Sequence, residues 1–411
     1  MYEVEIEKLD HQARGIAHIN DKIVFVENSL PLEKVKIRVV KENKKIMEAI
    51  VTDYIEKSVD RIESSCPYYK ECGGCDLLHL SYEKQLMYKE NKVKEIMNKY
   101  ADIDENLVKN IVASPKQYNY RNKVTLKVNN KVGYYKKKSY DIVEIENCLI
   151  ANEKINQTIE EIEKIKIPSS INELVIRSIN ETDISLTIYL QNKYDIDNFV
   201  NILSKKIDSI KVIFQNNIIN ETGKSNIIGR LGKYNFQMSQ NAFFQVNTEQ
   251  TINLYDKIKE YVKECNSPTT LDLYCGTGTI GIYVSEYASK VIGVEINSEA
   301  IENAKINAKN NNIKNIEFLA GDAKIILNRN NYSADLIIVD PPRSGLDVEV
   351  VNDIFEINPN NVIYVSCDPI TLARDLKIFK DKYDIIEITP FDMFPNTYHV
   401  ECVVRLHSKK I

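Results

Sequence analysis

Cys367 sits where an apolar run, Val362-Ile363-Tyr364-Val365-Ser366, gives way to Asp368-Pro369. The run reads as a buried strand of a parallel sheet, and in open α/β sheets ligands bind beyond the carboxyl ends of the strands, so a thiol there is placed to act as a nucleophile. A lone cysteine is more often a small core residue; the residues around this one point to chemistry instead. A second group, Cys66, Cys72 and Cys75, has the spacing C-x5-C-x2-C with Gly73-Gly74 between the last two. Glycine permits the tight loop that turns three thiolates toward one metal centre, and Cys148, in Glu146-Asn147-Cys148-Leu149, is the natural fourth ligand. Four thiolates suit tetrahedral zinc or a [4Fe-4S] cluster, and residue counts alone lean slightly toward zinc.

A third group is the stretch Leu271-Asp272-Leu273-Tyr274-Cys275-Gly276-Thr277-Gly278-Thr279-Ile280-Gly281, a strand entering a glycine turn and then a helix. Gly276 and Gly278 let the backbone approach a cofactor, and the helix start offers free N–H groups. Glu295, closing the next strand, is placed to accept hydrogen bonds from ribose hydroxyls, a feature that NAD and S-adenosylmethionine sites share. Two later features separate those cofactors. Gly321-Asp322-Ala323 follows the third strand, where an acid typically meets adenine in methyltransferases. Asp340-Pro341-Pro342-Arg343 follows the fourth and makes a rigid loop at the sheet's mouth.

These residues need a scaffold, and 411 residues are enough for two or three domains. Residues 1–57 alternate as short strands with Gly15 and Asn28–Pro31 as breaks, which predicts a small antiparallel barrel. Residues 58–240 carry the cysteines, a helix over 82–99 with Leu86, Val93, Ile96 and Met97 at helical spacing, and mixed strands and helices of an α+β domain. Residues 241–411 alternate strand and helix, which predicts a doubly wound, Rossmann-like parallel sheet, with His399–Leu406 as a closing edge strand. No apolar stretch is long enough to span a membrane and no leader pattern is present, so a cytoplasmic protein without membrane contact, expected to be monomeric, is predicted. Eight cysteines in that compartment favour metal or catalysis over disulfides. The formal net charge of −5 excludes a generic charge-driven nucleic-acid binder. Locally, 115–148 holds eight Lys or Arg against three Asp or Glu, a solvated face or an RNA surface.

In order along the chain, the barrel, the four cysteines, Phe243-Phe244-Gln245-Val246-Asn247, the Tyr274 turn, Asp340-Pro341-Pro342-Arg343 and Ser366-Cys367-Asp368-Pro369 resemble the S-adenosylmethionine-dependent RNA uracil-C5 methyltransferases, most closely the branch acting on 23S ribosomal RNA. The resemblance runs end to end. It implies that the barrel is a TRAM domain, an OB-like RNA-binding module, and that Cys66, Cys72, Cys75 and Cys148 hold a [4Fe-4S] cluster rather than zinc. It also implies that Gln245, Tyr274, Glu295 and Asp340, with Asp322 near the adenine, contact S-adenosylmethionine. In this family Cys367 would add to uracil C6 and Glu401, in His399-Val400-Glu401-Cys402, would be the general base. Arg343 is a candidate to stabilise the enolate, and Phe243 or Phe244 to stack on the target base. Related tRNA enzymes place Asn where this chain has Thr279. The readings left beside it are the same reaction on the T-loop uridine of tRNA, an NAD-linked oxidoreductase, and an iron–sulfur RNA-binding protein without turnover.

Overall fold

The computed structural model describes residues 1–179, 183–193, 196–239, 243–266, 268–329 and 332–409. The predicted domain limit at 240–241 lies outside them. At the N-terminus, six strands form one sheet in the order Tyr2–Glu5, Lys34–Glu42, Ile46–Glu56, Lys22–Glu27, Gly15–Ile19, Lys8–Leu9. Alternate residues such as Val35 and Ile37, or Met47 and Ala49, turn inward and fill its core, as the two-residue period of a strand requires. The expected all-antiparallel pairing fails at one place: Lys22–Glu27 runs parallel to Ile46–Glu56. The long strand Lys34–Glu42 lies between them in sequence, so the chain comes back to that edge in the same direction.

The middle of the chain builds a seven-stranded sheet, ordered Asn217–Gly223, Ser209–Phe214, Ser185–Leu190, Ile171–Arg177, Lys123–Asn129, Lys131–Tyr135, Ile142–Glu144. Helix Glu153–Glu163 covers it with Ile155, Ile159 and Ile162. The Asn152 side chain accepts from the Ile155 N–H and so starts that helix. The basic run of this region is largely used inside the fold. Lys116, Lys127, Lys131, Lys136 and Lys137 pair with Glu249, Glu173, Glu144, Glu71 and Asp76, and Lys138 reaches Glu27 and Glu48 of the barrel.

The last sheet has seven strands, ordered Ile316–Ala320, Lys290–Glu295, Thr269–Leu273, Leu336–Val339, Asn361–Ser366, Glu401–Ser408, Tyr383–Phe391. The first five are parallel. Leu336–Val339 and Asn361–Ser366 are buried on both faces, which explains their unbroken apolar sequences. The final strand is not the edge that its position in sequence suggested. It inserts antiparallel between Asn361–Ser366 and Tyr383–Phe391, and the latter, absent from the sequence reading, forms the edge. Main-chain bridges from Val108 and Val112 then cover that edge.

Two segments of 58–240 pack into this C-terminal layer. Helix Tyr82–Ala101 puts Val93, Ile96 and Met97 into the core on one face, and the hairpin of Ile227–Leu231 and Tyr234–Met238 packs on the other. Helix Tyr82–Ala101 also carries Lys89, whose Nζ lies 2.5 Å from Asp392 Oδ1, both side chains being fully buried. Removing one partner strands the other charge in a dry site, which costs about 3–5 kcal/mol. Lys89→Ala is therefore expected to lower the denaturant midpoint by that equivalent, while Lys89→Met with Asp392→Leu loses much less; equal loss in both would refute the pairing argument.

Candidate active site

The parallel strands bring the chemically interesting residues of the C-terminal half to one rim. Leu273 stands in register with Val294 on one side and Val339 on the other, so Tyr274, Glu295 and Asp340 leave adjacent strands together. Cys367 leaves the next strand, and Asp322 follows the outermost parallel one. From Glu295 to Cys367 is three strand spacings, about 14 Å at roughly 4.8 Å each.

The glycine turn begins under strain. Tyr274 holds φ +63°, a left-handed conformation that is unusual for a bulky residue and that swings the chain across the strand ends. Gly276 follows at φ +53°, and a Cβ there would meet no atom within 4 Å, so its open side faces space into which a ligand fits. Gly278, at φ +77°, cannot carry a Cβ, which would lie 2.6 Å from the Phe318 ring. Glu295 accepts from the N–H groups of Gly276 at 3.2 Å and Asn297 at 2.9 Å, a pair of bonds that aims its carboxylate across the turn. Gln245 is buried, its carbonyl bonded by Asn122, while Asp322 is exposed. Phe243 and Phe244 part company: Phe244 packs near Phe236 in the core, and Phe243 is 70% exposed.

Cys367 and Glu401 meet through the inserted strand. Ser366 pairs with Cys402, so extending the antiparallel register by one residue sets Cys367 opposite Glu401. Facing residues in such pairs have Cβ atoms about 4.5–5.5 Å apart and point to the same side. Cys367 keeps partial access, whereas Glu401 is only 3% exposed. Burial pushes the Glu401 carboxyl up to about 8, helped by Asp340 and opposed by Arg343. Asp340 shows a small face to the cleft but is walled by protein, and that desolvation raises it to about 7. Burial and then Glu401 push the Cys367 thiol up to about 12, with Arg343 pulling it back. The loop bearing Arg343 is anchored on helix Pro369–Phe379: Thr371 donates to the Arg343 carbonyl, and Asp375 accepts from Leu346 N–H and Tyr364. Asp368 caps the same helix through Ile370 and Thr371 N–H. A thiol, a buried proton-holding carboxyl and an exposed guanidinium at one cleft can form and release a bond to an electron-poor ring carbon.

Cys66, Cys72, Cys75 and Cys148 lie elsewhere, round one cavity of about 50 Å³ that Tyr68, Tyr134 and Arg121 also line. All four are free thiols. Among the described residues no three His, Cys, Asp or Glu side chains are arranged to hold a metal ion, so the thiols share a cavity without a ready-made coordination shell. The buried Cys75 thiol is pushed well up by burial and then by Cys148 and Cys72, and Cys72 reaches about 11 by burial, with Cys148 and Cys66 adding to it. Arg121 Nε is buried there with no partner among the described residues.

Sequence patterns did not single out three side chains at the rim. Asp272, fully buried, accepts from Gly281 N–H at 2.9 Å and is raised to about 8 by burial. Tyr255 on helix Thr248–Glu264 shares a 2.8 Å bond with Thr279. His399, two residues before Glu401, lies against Tyr398. Asp272 stood inside the glycine motif and could have been found there; the other two depend on packing.

The sequence profile of the tRNA (uracil-5-)-methyltransferase family matches residues 81–409, and that of the TRAM domain matches residues 1–52. An uncharacterized RNA methyltransferase of Clostridium acetobutylicum is 35% identical, with 98% of this chain and 96% of that one covered. One from Bacillus cereus is 34% identical over 98% of this chain and 95% of its own. Among solved structures, the Pyrococcus abyssi tRNA (uracil-54, C5)-methyltransferase in complex with S-adenosyl-L-homocysteine superposes with a TM-score of 0.81 at 28% identity, covering 98% of this chain and all of that one.

The elevated carboxyls carry a stability signature. Glu401 and Asp340 hold protons in the folded chain up to about pH 8 and 7, and the unfolded chain releases them near its ordinary pKa of about 4. Folding thus binds protons in that window, and the contribution of both groups to stability falls as pH rises from about 4.5 to 8. Glu401→Gln should flatten this slope, read as the difference between denaturant midpoints at pH 5 and pH 8; an unchanged slope would rule out a raised Glu401.

Proposed function

Because the chain belongs to the tRNA (uracil-5-)-methyltransferase family, we propose that it methylates C5 of a specific uridine in 23S ribosomal RNA, with Cys367 as nucleophile and Glu401 as general base. The observation that carries this reading is the register that sets Cys367 opposite Glu401 at the mouth of the cofactor turn. The sequence's resemblance to the ribosomal branch supports 23S RNA as the substrate. Transfer RNA is the second reading, favoured by the Pyrococcus abyssi enzyme's likeness over the whole chain.

Bound S-adenosylmethionine supplies an electrophilic methyl group on a sulfonium. Tyr274, Glu295, Gln245 and Asp340 would hold it, with Gly276 and Gly278 leaving room and Asp322 at the outer end toward the adenine. Uracil C5 is too poor a nucleophile to take that methyl unaided. Cys367 would therefore add to C6, which pushes electron density onto C5 and the O4 enolate, and Arg343 is placed to stabilise that charge. Once C5 carries the methyl group that S-adenosylmethionine supplies, Glu401, ionised at this stage, would take the C5 proton, and the returning electron pair would expel the Cys367 thiolate. The target must leave its stack to reach the cleft, and exposed Phe243 is available to stack on it.

Cys66, Cys72, Cys75 and Cys148 would hold a [4Fe-4S] cluster, with the orphaned Arg121 Nε offsetting its negative charge. The domains would divide near 57 and 240, and the protein would act in the cytoplasm, where its RNA is.

Purified enzyme, tritiated S-adenosylmethionine and separate 23S and tRNA transcripts decide the substrate: label in 23S RNA is expected, label in tRNA alone selects the second reading, and label in neither refutes both. In the same assay Cys367→Ala should be inactive, and Glu401→Gln should leave a slow-migrating covalent protein–RNA adduct on a denaturing gel. Protein prepared without oxygen should be brown with about four irons per chain; one zinc per chain would overturn the cluster.

A further inference from the structure

Just ahead of Glu401 the chain presents three ring side chains, with His399 in contact with both Tyr398 and Phe394. The Tyr398 and His399 ring centres are 4.2 Å apart with planes tilted by 36°, and Phe394 meets His399 edge-on at 5.9 Å. All three are only partly buried, in a loop whose other residues from Asp392 to Thr397 are buried. Tyr398 packs against the small apolar cluster of Leu30 and Leu77 beside the barrel, which fixes the position of the pair. Lys92 Nζ donates to the Tyr398 carbonyl at 2.9 Å and lies 5.1 Å from the Tyr398 ring centre.

The surroundings are cationic. Arg343, Lys92, Lys89 and Arg121 all bear on His399 and, with burial, hold its imidazole down to about 4, so it is neutral at physiological pH. His399 stands two residues before Glu401, which opens the strand that pairs with the one leading into Cys367, and the charge of Arg343 bears on Tyr398, Cys367 and Glu401 alike. A neutral ring pair that is only partly buried, close in the chain to Glu401, offers what an unstacked base needs.

We propose that Tyr398 and His399 form a stacking platform for the unpaired base next to the target uridine. The proposal rests on RNA being the substrate, and it assigns these residues recognition of the neighbouring nucleotide and no part in the bond-making steps.

The probe is a hairpin RNA whose loop holds one uridine flanked by 2-aminopurine, a base whose fluorescence falls on stacking. Wild-type enzyme should bind it and quench the signal. His399→Ala should weaken binding by about 5- to 150-fold, the range for one stacked base, and restore fluorescence. His399→Phe keeps a flat ring and should rescue both. Quenching and affinity in His399→Ala equal to wild type would overturn the platform, as would wild-type binding without quenching. Methyl incorporation into the same hairpin is scored separately, so a protein that stacks the probe without methylating it refutes the proposed activity and leaves the platform standing.

Discussion

The buried pair of Lys89 and Asp392 is the constraint on which the catalytic rim depends. Asp392 opens the loop that runs to Glu401, and Lys89 also donates to the Phe394 carbonyl further along it. Other parts of the molecule grip the same loop. The N–H groups of Asp76 and Leu77, directly after Cys75, both donate to the Asn396 carbonyl. Gln85 exchanges bonds with Asn396, Tyr120 donates to the Pro395 carbonyl, and Asn247 donates to that of Met393. Helix, cysteine loop, central domain and the C-terminal sheet therefore converge on the first half of the loop 392–400. Glu401 inherits its position from all of them.

The rim is acidic and dry. Asp272, Asp340 and Glu401 all hold protons more tightly than ordinary carboxyls because burial denies them water. A cationic ligand would reverse that preference by supplying the missing countercharge. Cys367 is under the same influence in the opposite sense: the acids that favour a cation disfavour its thiolate, and Arg343 is the nearby charge that relieves it. A cationic ligand that offset those acids would also ease ionisation of the Cys367 thiol.

Much of the rim was legible because parallel strands end where their motifs say they end. Tyr274, Glu295, Asp340 and Cys367 each follow a short apolar run, and adjacency of strands does the rest. Glu401 was different. Nothing local marks it, and only the family resemblance singled it out, since its place depends on a strand inserting antiparallel in the sheet interior. The neighbouring edge strand was missed because Pro390 and the charged residues of Tyr383–Phe391 weaken its β signal. Cys66, Cys72 and Cys75 were grouped from spacing and Cys148 from its place at the end of the central strand region; all four line one cavity. The Tyr398–His399 contact had no sequence signature, because ring stacking is set by tertiary packing.

The lysines of 116–138 have a consequence for how RNA is held. Six of them already face carboxylates within the protein, two of those contacts being made by Lys138 to the barrel. A lysine already neutralised displaces few condensed cations from a phosphate chain, and displacement of those ions is what gives most RNA binders their steep dependence on salt. Complex formation would release little of the ion atmosphere through this segment. Discrimination among RNAs would then rest on loop shape and exposed bases, and would hold at ionic strengths that strip a purely electrostatic binder from its site.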